Sequence, residues 1–472
     1  MAERKPATIG ELRKSGYKVL SVKAEMRKNL IDKIRKNEPM FEGIVGYEDT
    51  VIPQVENAIL SGQDMILLGE RGQAKSRLIR SLVSLLDEEV PIVAGSEIND
   101  DPYNPISKMA RDMVAEKGDD TPIAWIHRDT RYGEKLATPD ITIADLIGEV
   151  DPIKVAEGRY LSDEMTIHYG LIPRTNRGIF CINELPDLAE RIQVGLLNIL
   201  EERDVQIRGY RIRLPLDIYL CASANPEDYT NRGRIITPLK DRCGSEVRTH
   251  YPATTGLEMD IMEQERNKFP DDYGVQILVP EFMREIVAEV THQARRSHDI
   301  NQRSGVSVRV SITNFENVVS NAVKRAVRLG EATAVPRISD LPAIVASTSG
   351  KIELETVDEG RDDQVIDKLA QASVLSVFNR YYTLAELEPI VEKFDAGLSL
   401  EVSDTMRIAD YEKIGSQVPE LWAAGKKLAQ SDNPGLISSA AELVLEGLHL
   451  SRKLNKDKIP GRAQYRGSRA FL

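Results

Sequence analysis

The sequence predicts an α/β fold with a largely parallel sheet, followed by helical regions. Between residues 41 and 255, short apolar runs alternate with helical stretches. One such run, Met65–Leu68, leads directly into a glycine-containing loop and then a helix. From about residue 256 the strand signal fades and apolar positions recur at helical spacing.

Taken in order, residues 1–40 read as an N-terminal helical extension. Leu20, Val22, Met26, Leu30 and Ile34 fall at helical spacing there, over one or two helices. Residues 41–255 form the α/β domain, with strands expected at Met65–Leu68, Ile92–Ala94, Gly178–Ile182 and Ile218–Ala222. Residues 256–350 read as a helical domain. One helix is expected in Pro280–Arg296 and another over Ile312–Leu329, where Ile312, Phe315, Val318, Val319, Ala322, Val323 and Ala326 make one apolar stripe. Residues 351–472 read as a further helical region ending in a basic, turn-rich tail. No fixed-period repeat or low-complexity segment interrupts this order.

Composition narrows the class. Of 472 residues, 41% are hydrophobic and 29% charged, the balance of a globular protein. Lys and Arg total 62 against 74 Asp and Glu, a net charge of −12, which argues against coating duplex nucleic acid. Cys181, Cys221 and Cys243 form no CxxC pair and suit a reducing compartment. The N-terminus carries no apolar secretory core, and no apolar run approaches the roughly 20 residues of a membrane span. The expectation is a cytoplasmic protein. His127, His168 and His250 stand apart from the cysteines, so no structural zinc is expected, and Trp125 reads as a packing residue.

The loop Gly69-Glu70-Arg71-Gly72-Gln73-Ala74-Lys75-Ser76 fits GxxxxGK[ST], with Ala74 in place of the last glycine. Such a loop turns successive main-chain N–H groups toward phosphates, and the helix after it adds its positive end. Lys75 would reach the β- and γ-phosphates and the Ser76 hydroxyl would ligate magnesium, implying ATP and Mg2+ as ligands. A nucleotide hydrolase also needs an acid on a neighbouring strand. Gly178–Ile182 followed by Asn183 and Glu184 has that form, with Glu184 placed to orient or deprotonate water.

Together these motifs resemble the AAA+ ATPases, and within them the ATPase subunit of magnesium chelatase and its MoxR relatives. The resemblance covers roughly residues 41–345 and implies further roles. Asn183 stands where the family usually carries Asp; an amide oxygen can accept from a metal-bound water but brings no charge, so weaker magnesium coordination is expected. Asn225, in Ser223-Ala224-Asn225-Pro226, matches the first sensor. Pro238-Leu239-Lys240-Asp241-Arg242 is similar to the segment bearing the arginine finger, making Arg242 the candidate, with Arg232 and Arg234 as competitors. Arg309 falls at the second sensor, with Arg303 nearby. Residues Thr138–Lys154 and Glu157–Tyr160 resemble the family's helix-two insertion, and Asp204–Arg208 with Arg211–Leu214 its hairpin before the first sensor.

The phrases NELPDLAERIQ and SANPEDYTNRGRIITPLKDR are most similar to magnesium-chelatase-like ATPases that pair with a von Willebrand factor A partner. The resemblance implies a ring, hexameric in form, that hydrolyses ATP to remodel a partner or insert a metal. Two other classes stay open. Asn183 suggests a nucleotide-gated scaffold with slow hydrolysis. Arg208, Arg211 and Arg213 around Tyr210 suggest a nucleic-acid motor, against which the acidic balance counts.

Overall fold

The computed structural model describes residues 5–151, 164–201, 204–206, 213–226, 233–269, 274–355, 361–459 and 461–468. The chain divides into two compact units, Met1–His250 and Tyr251–Leu472.

In the first unit, helix α1 (Val22–Arg35) starts where the Ser21 side chain accepts a hydrogen bond from the Ala24 N–H. It buries Val22, Met26 and Leu30, whereas Leu20 and Ile34, expected on the same stripe, stay exposed. The buried face joins the core that holds Met65, Leu67, Ile179, Cys181 and Tyr219. Residues 22–40 therefore contribute to the first unit's own core.

Five strands form the central sheet: β1 (Met65–Leu68), β2 (Tyr132–Leu136), β3 (Gly178–Asn183), β4 (Ile218–Ala224) and β5 (Ser245–Arg248). Their order is β5-β1-β4-β3-β2 and every neighbouring pair is parallel. β1, β3 and β4 are buried at every position, as interior strands of a parallel sheet covered on both faces must be. The edge strands β2 and β5 mix charged and apolar residues. The strand expected at Ile92–Ala94 spans Glu89–Val93, but it pairs antiparallel with Ile123–His127, outside this sheet. Periodicity reports a strand, not the sheet it joins.

A buried ion pair fixes the approach to β2. Arg131 donates to both Glu25 oxygens at 2.7 and 2.6 Å and to the Arg177 carbonyl at 2.7 Å, so α1 is tied to the sheet's edge. Two short antiparallel pairs fall within the stretches read as insertions. Asp204–Gln206 pairs antiparallel with Arg213–Pro215, and Gly148–Val150 with Ile167–Tyr169. Helix α2 (Lys75–Ser81) follows β1, and α3 (Thr237–Arg242) precedes β5.

The second unit is built on α4 (Glu281–Ala294), α5 (Arg309–Leu329), α6 (Arg361–Tyr381) and α7 (Pro434–Leu450). On α5, Phe315, Val318, Val319, Ala322 and Ala326 are buried as the stripe predicts, and Ile312 and Val323 are half-buried. One core runs from Met262 to Tyr465 and draws on both sides of residue 350. The region expected to be helical with a basic, turn-rich tail also contains an antiparallel sheet of β6 (Ser399–Ser403), β7 (Leu454–Ile459) and β8 (Arg462–Gly467), in the order β6-β8-β7. Its hairpin is the basic tail, which escapes a pattern reading because Leu454 and Tyr465 are the buried anchors among many charged neighbours. Among the described residues no helix is long and apolar enough to cross a membrane.

Candidate functional site

The loop Gly69–Ala74 joins β1 to α2 and is held from both sides. The Gly69 N–H donates to the Ala224 carbonyl at 3.0 Å, and the Thr249 N–H to the Leu68 carbonyl at 2.9 Å. A side chain at Gly69 would collide with the Thr249 hydroxyl and the Gln73 amide, so only glycine fits. Gln73 folds over the loop, its Oε1 accepting from the Glu70 N–H at 3.0 Å and from Thr249 Oγ1 at 2.7 Å. The Tyr47 hydroxyl lies 2.9 Å from the Gln73 carbonyl and 2.8 Å from that of His250. Burial pushes the Tyr47 phenol up to about 12.

Ala74 sits at φ +55°, ψ +16°, the left-handed conformation that favours glycine. For alanine this costs about 1–2 kcal/mol. Lys75 is buried, and its Nζ donates to the Gly69 carbonyl, to the Glu70 carbonyl at 2.9 Å and to Asn225 Oδ1 at 2.6 Å. Ser76, next on α2, is half-buried, and Glu70, Arg71 and Gly72 line the more open side.

Because β4 lies between β1 and β3, a residue past the end of β4 can reach both neighbours. Asn225 does so. Its Oδ1 takes the Lys75 hydrogen bond, and its Nδ2 donates to Glu184 Oε2 at 2.6 Å. Lys75, Asn225 and Glu184, singled out by separate motifs, thus form one hydrogen-bonded chain across the sheet. Glu184 itself stands at φ +55°, with its N–H on Ser223 Oγ at 3.1 Å. A non-glycine residue held there marks a position fixed by its surroundings.

Asn183 is occupied differently. Its Oδ1 accepts from Ser223 Oγ at 3.2 Å and from Cys181 Sγ at 3.4 Å, while its Nδ2 donates to Glu134 on β2. Glu134 in turn takes two hydrogen bonds from Arg80 on α2, both at 2.8 Å, and one from the Tyr132 hydroxyl at 2.9 Å. The Arg80 guanidinium, ahead of the opposing effect of burial, holds the Glu134 carboxyl below the usual carboxylate range. Sequence reading missed Glu134, Arg80, Thr249 and Ser223. No pattern signalled Glu134, because the strand that carries it, Tyr132–Leu136, does not alternate.

The remaining candidates sit on other elements. Arg242 ends α3, half-buried, with Nη1 3.1 Å from the Pro238 carbonyl of its own helix. Arg234 is exposed, and its carbonyl accepts from Gln193 Nε2 at 3.2 Å. Arg309 is the exposed first residue of α5 in the second unit, and Arg303 is exposed on the loop before it. Arg232, Arg208, Tyr210 and Arg211 lie outside the described residues, as does Glu157–Tyr160 of the expected insertion. A cleft of about 360 Å³ opens beside this loop, lined by Gly69, Gln73, Lys240, Glu246, Arg248 and Thr249 among others.

The strand order β5-β1-β4-β3-β2 puts the lysine loop after β1 and the acid after β3 on either side of β4. No protein-family model matches the chain. It is 29% identical to a magnesium-chelatase subunit ChlI of Nostoc sp. over 237 residues, 48% of this chain and 59% of the relative. It is 28% identical to the chloroplastic ChlI-1 subunit of Arabidopsis thaliana over 243 residues, covering 49% and 53%. With the ChlI subunit of Nephroselmis olivacea it shares 24% identity over 355 residues, covering 69% and 93%. The chain is homologous to these subunits. It spans a little over half the length of the first two. A structure of the BchI–BchD complex of magnesium chelatase overlaps at a TM-score of 0.35 and 20% identity, covering 69% of this chain and 98% of that one, too low a score to add to the fold.

Proposed function

We propose that this chain binds ATP with magnesium and hydrolyses it as an AAA+ ring ATPase of the magnesium-chelatase and MoxR kind. What carries the reading is the single chain of hydrogen bonds from Lys75 through Asn225 to Glu184. A buried ammonium that leans on two loop carbonyls and one amide has exchangeable partners, and phosphate oxygens are stronger acceptors than any of them. When Lys75 turns to the β- and γ-phosphates, the Asn225 amide loses its donor and can turn toward the attacking water. Glu184, released from Asn225 Nδ2, then orients that water or takes its proton. Loop amides from Glu70 to Ser76 receive the phosphates.

Among the described residues no three His, Cys, Asp or Glu side chains converge on a metal position. Magnesium in a nucleotide site is held by one or two protein oxygens together with phosphates and water. Ser76 Oγ and the Asn183 position would hold it, and it would supply charge neutralisation to the phosphate oxygens. Arg242, or Arg234 or Arg232, would act as finger on a neighbouring subunit's nucleotide, and Arg309 as the lid's sensor. A homo-hexameric ring working with a von Willebrand factor A partner, to remodel a protein or insert a metal, completes the proposal. A second reading, a nucleotide-gated scaffold that hydrolyses slowly, is favoured by the uncharged Asn183, whose two amide atoms are already engaged.

The test is phosphate release and ATP binding by Glu184→Gln. We expect unchanged ATP affinity with hydrolysis about 100- to 1,000-fold slower. Hydrolysis near wild type would remove Glu184 from the chemistry. Single-turnover hydrolysis by the wild-type protein separates the readings, since the scaffold would keep bound ATP intact for hours.

A further inference from the structure

We propose that Glu134, on edge strand β2, supplies the negative charge that Asn183 cannot give to the metal side of the nucleotide site, with Arg80 as its counter-cation when no metal is bound. This rests on the reading above, that the site takes ATP with magnesium.

The register of the sheet brings the groups together. β2 runs parallel to β3, with Glu134 opposite Cys181 and Leu136 opposite Asn183. From there the Glu134 side chain reaches up the sheet and meets the Asn183 amide. On α2, Ser76 and Arg80 are four residues apart and so lie on one face of the helix. The face that carries the expected metal ligand Ser76 therefore also carries the guanidinium that grips Glu134.

Counting acceptor sites shows what the arrangement permits. A carboxylate offers about four lone pairs. On Glu134 they are filled by Asn183 Nδ2, two Arg80 nitrogens and the Tyr132 hydroxyl. The carboxylate cannot easily leave, because Asn183 and Tyr132 hold it and its side chain is only 21% exposed. Arg80 can, because its side chain is 63% exposed. If Arg80 swings into solvent, two lone pairs and a full negative charge become free beside Asn183, where a metal-bound water needs an acceptor. A buried carboxylate is costly without a cation near it, so one cation exchanges for another. The charge expected at position 183 has moved one strand outward.

The experiment measures Mn2+ affinity of the full-length protein with ADP bound, by the electron paramagnetic resonance of free Mn2+. Glu134→Gln keeps the shape and the acceptor for Asn183 but removes the charge. It should weaken Mn2+ binding about 10- to 100-fold while ADP affinity in EDTA stays within about twofold. Adding Asn183→Asp to Glu134→Gln should restore Mn2+ binding, because the charge returns to β3. Arg80→Gln should keep Mn2+ affinity at or above wild type. The proposal is overturned if Glu134→Gln binds Mn2+ like wild type, if Asn183→Asp fails to rescue it, or if Arg80→Gln loses affinity as Glu134→Gln does. Failure of the wild-type protein to bind ADP in EDTA would instead overturn the ATP reading itself, and this proposal with it.

Discussion

The central strands and the edge strands of the first unit contribute to the site in different ways. β1, β3 and β4 are buried throughout and deliver Lys75, Glu184 and Asn225 at their C-terminal ends, the residues that touch one another. β2 and β5 are partly exposed and contribute supports: Glu134 under Asn183, and Thr249 against Gln73. On the proposed reading, chemistry sits where burial fixes geometry, and tuning sits at the edges, where side chains such as Arg80 have solvent to move into.

If the edges are pinned as described, the largest effect comes from cutting the pin of β2. Glu25→Gln leaves Arg131, 1% exposed, without its charge partner, and should cost about 3 kcal/mol in urea unfolding of the first unit's transition. A loss under 1 kcal/mol would show that the pair contributes little. At the centre, Asn225→Ala breaks both links of the chain at once. It should lower kcat about 100-fold, roughly 2.7 kcal/mol in the barrier, with ATP affinity little changed. An equal fall in affinity would place Asn225 in binding instead.

The sequence made the centre legible and left the edges obscure, for a physical reason. Interior strands of a parallel sheet must be apolar, so MILL, GIFCI and IYLCASA stand out, and the polar residues that end them mark the site. Tyr132–Leu136 and Ser245–Arg248 carry Glu134, Lys135, Glu246 and Arg248, and no alternation separates them from loops. The same limit hid the C-terminal hairpin, whose buried Tyr465 is surrounded by charge. The resemblance gave Lys75, Glu184 and Asn225 their roles, but Glu134 became visible only once the strand register was known.

Smaller effects sharpen the contrast further. Tyr47 braces the loop against the segment after β5, and Tyr47→Phe should cost about 1 kcal/mol near pH 8. The folded-state phenol is raised to about 12, so its contribution is full below the unfolded value near 10 and is lost as pH rises toward 12. The stability difference between wild type and variant should therefore shrink over that window; a constant difference would contradict the burial. The smallest effect is Ala74→Gly, which relieves the left-handed strain but adds unfolded-state entropy, so Tm should rise by no more than the equivalent of about 1 kcal/mol. A clear fall would mean that the alanine methyl packs usefully.

The whole account depends on Lys75 exchanging its loop carbonyls for phosphate oxygens. The direct measurement is equilibrium binding of ATP to the wild-type protein and to Lys75→Met by calorimetry. Wild type should bind, and Lys75→Met should bind at least about 100-fold more weakly, the loss of several charge-assisted hydrogen bonds. Equal affinities, or no binding by wild type, would contradict it.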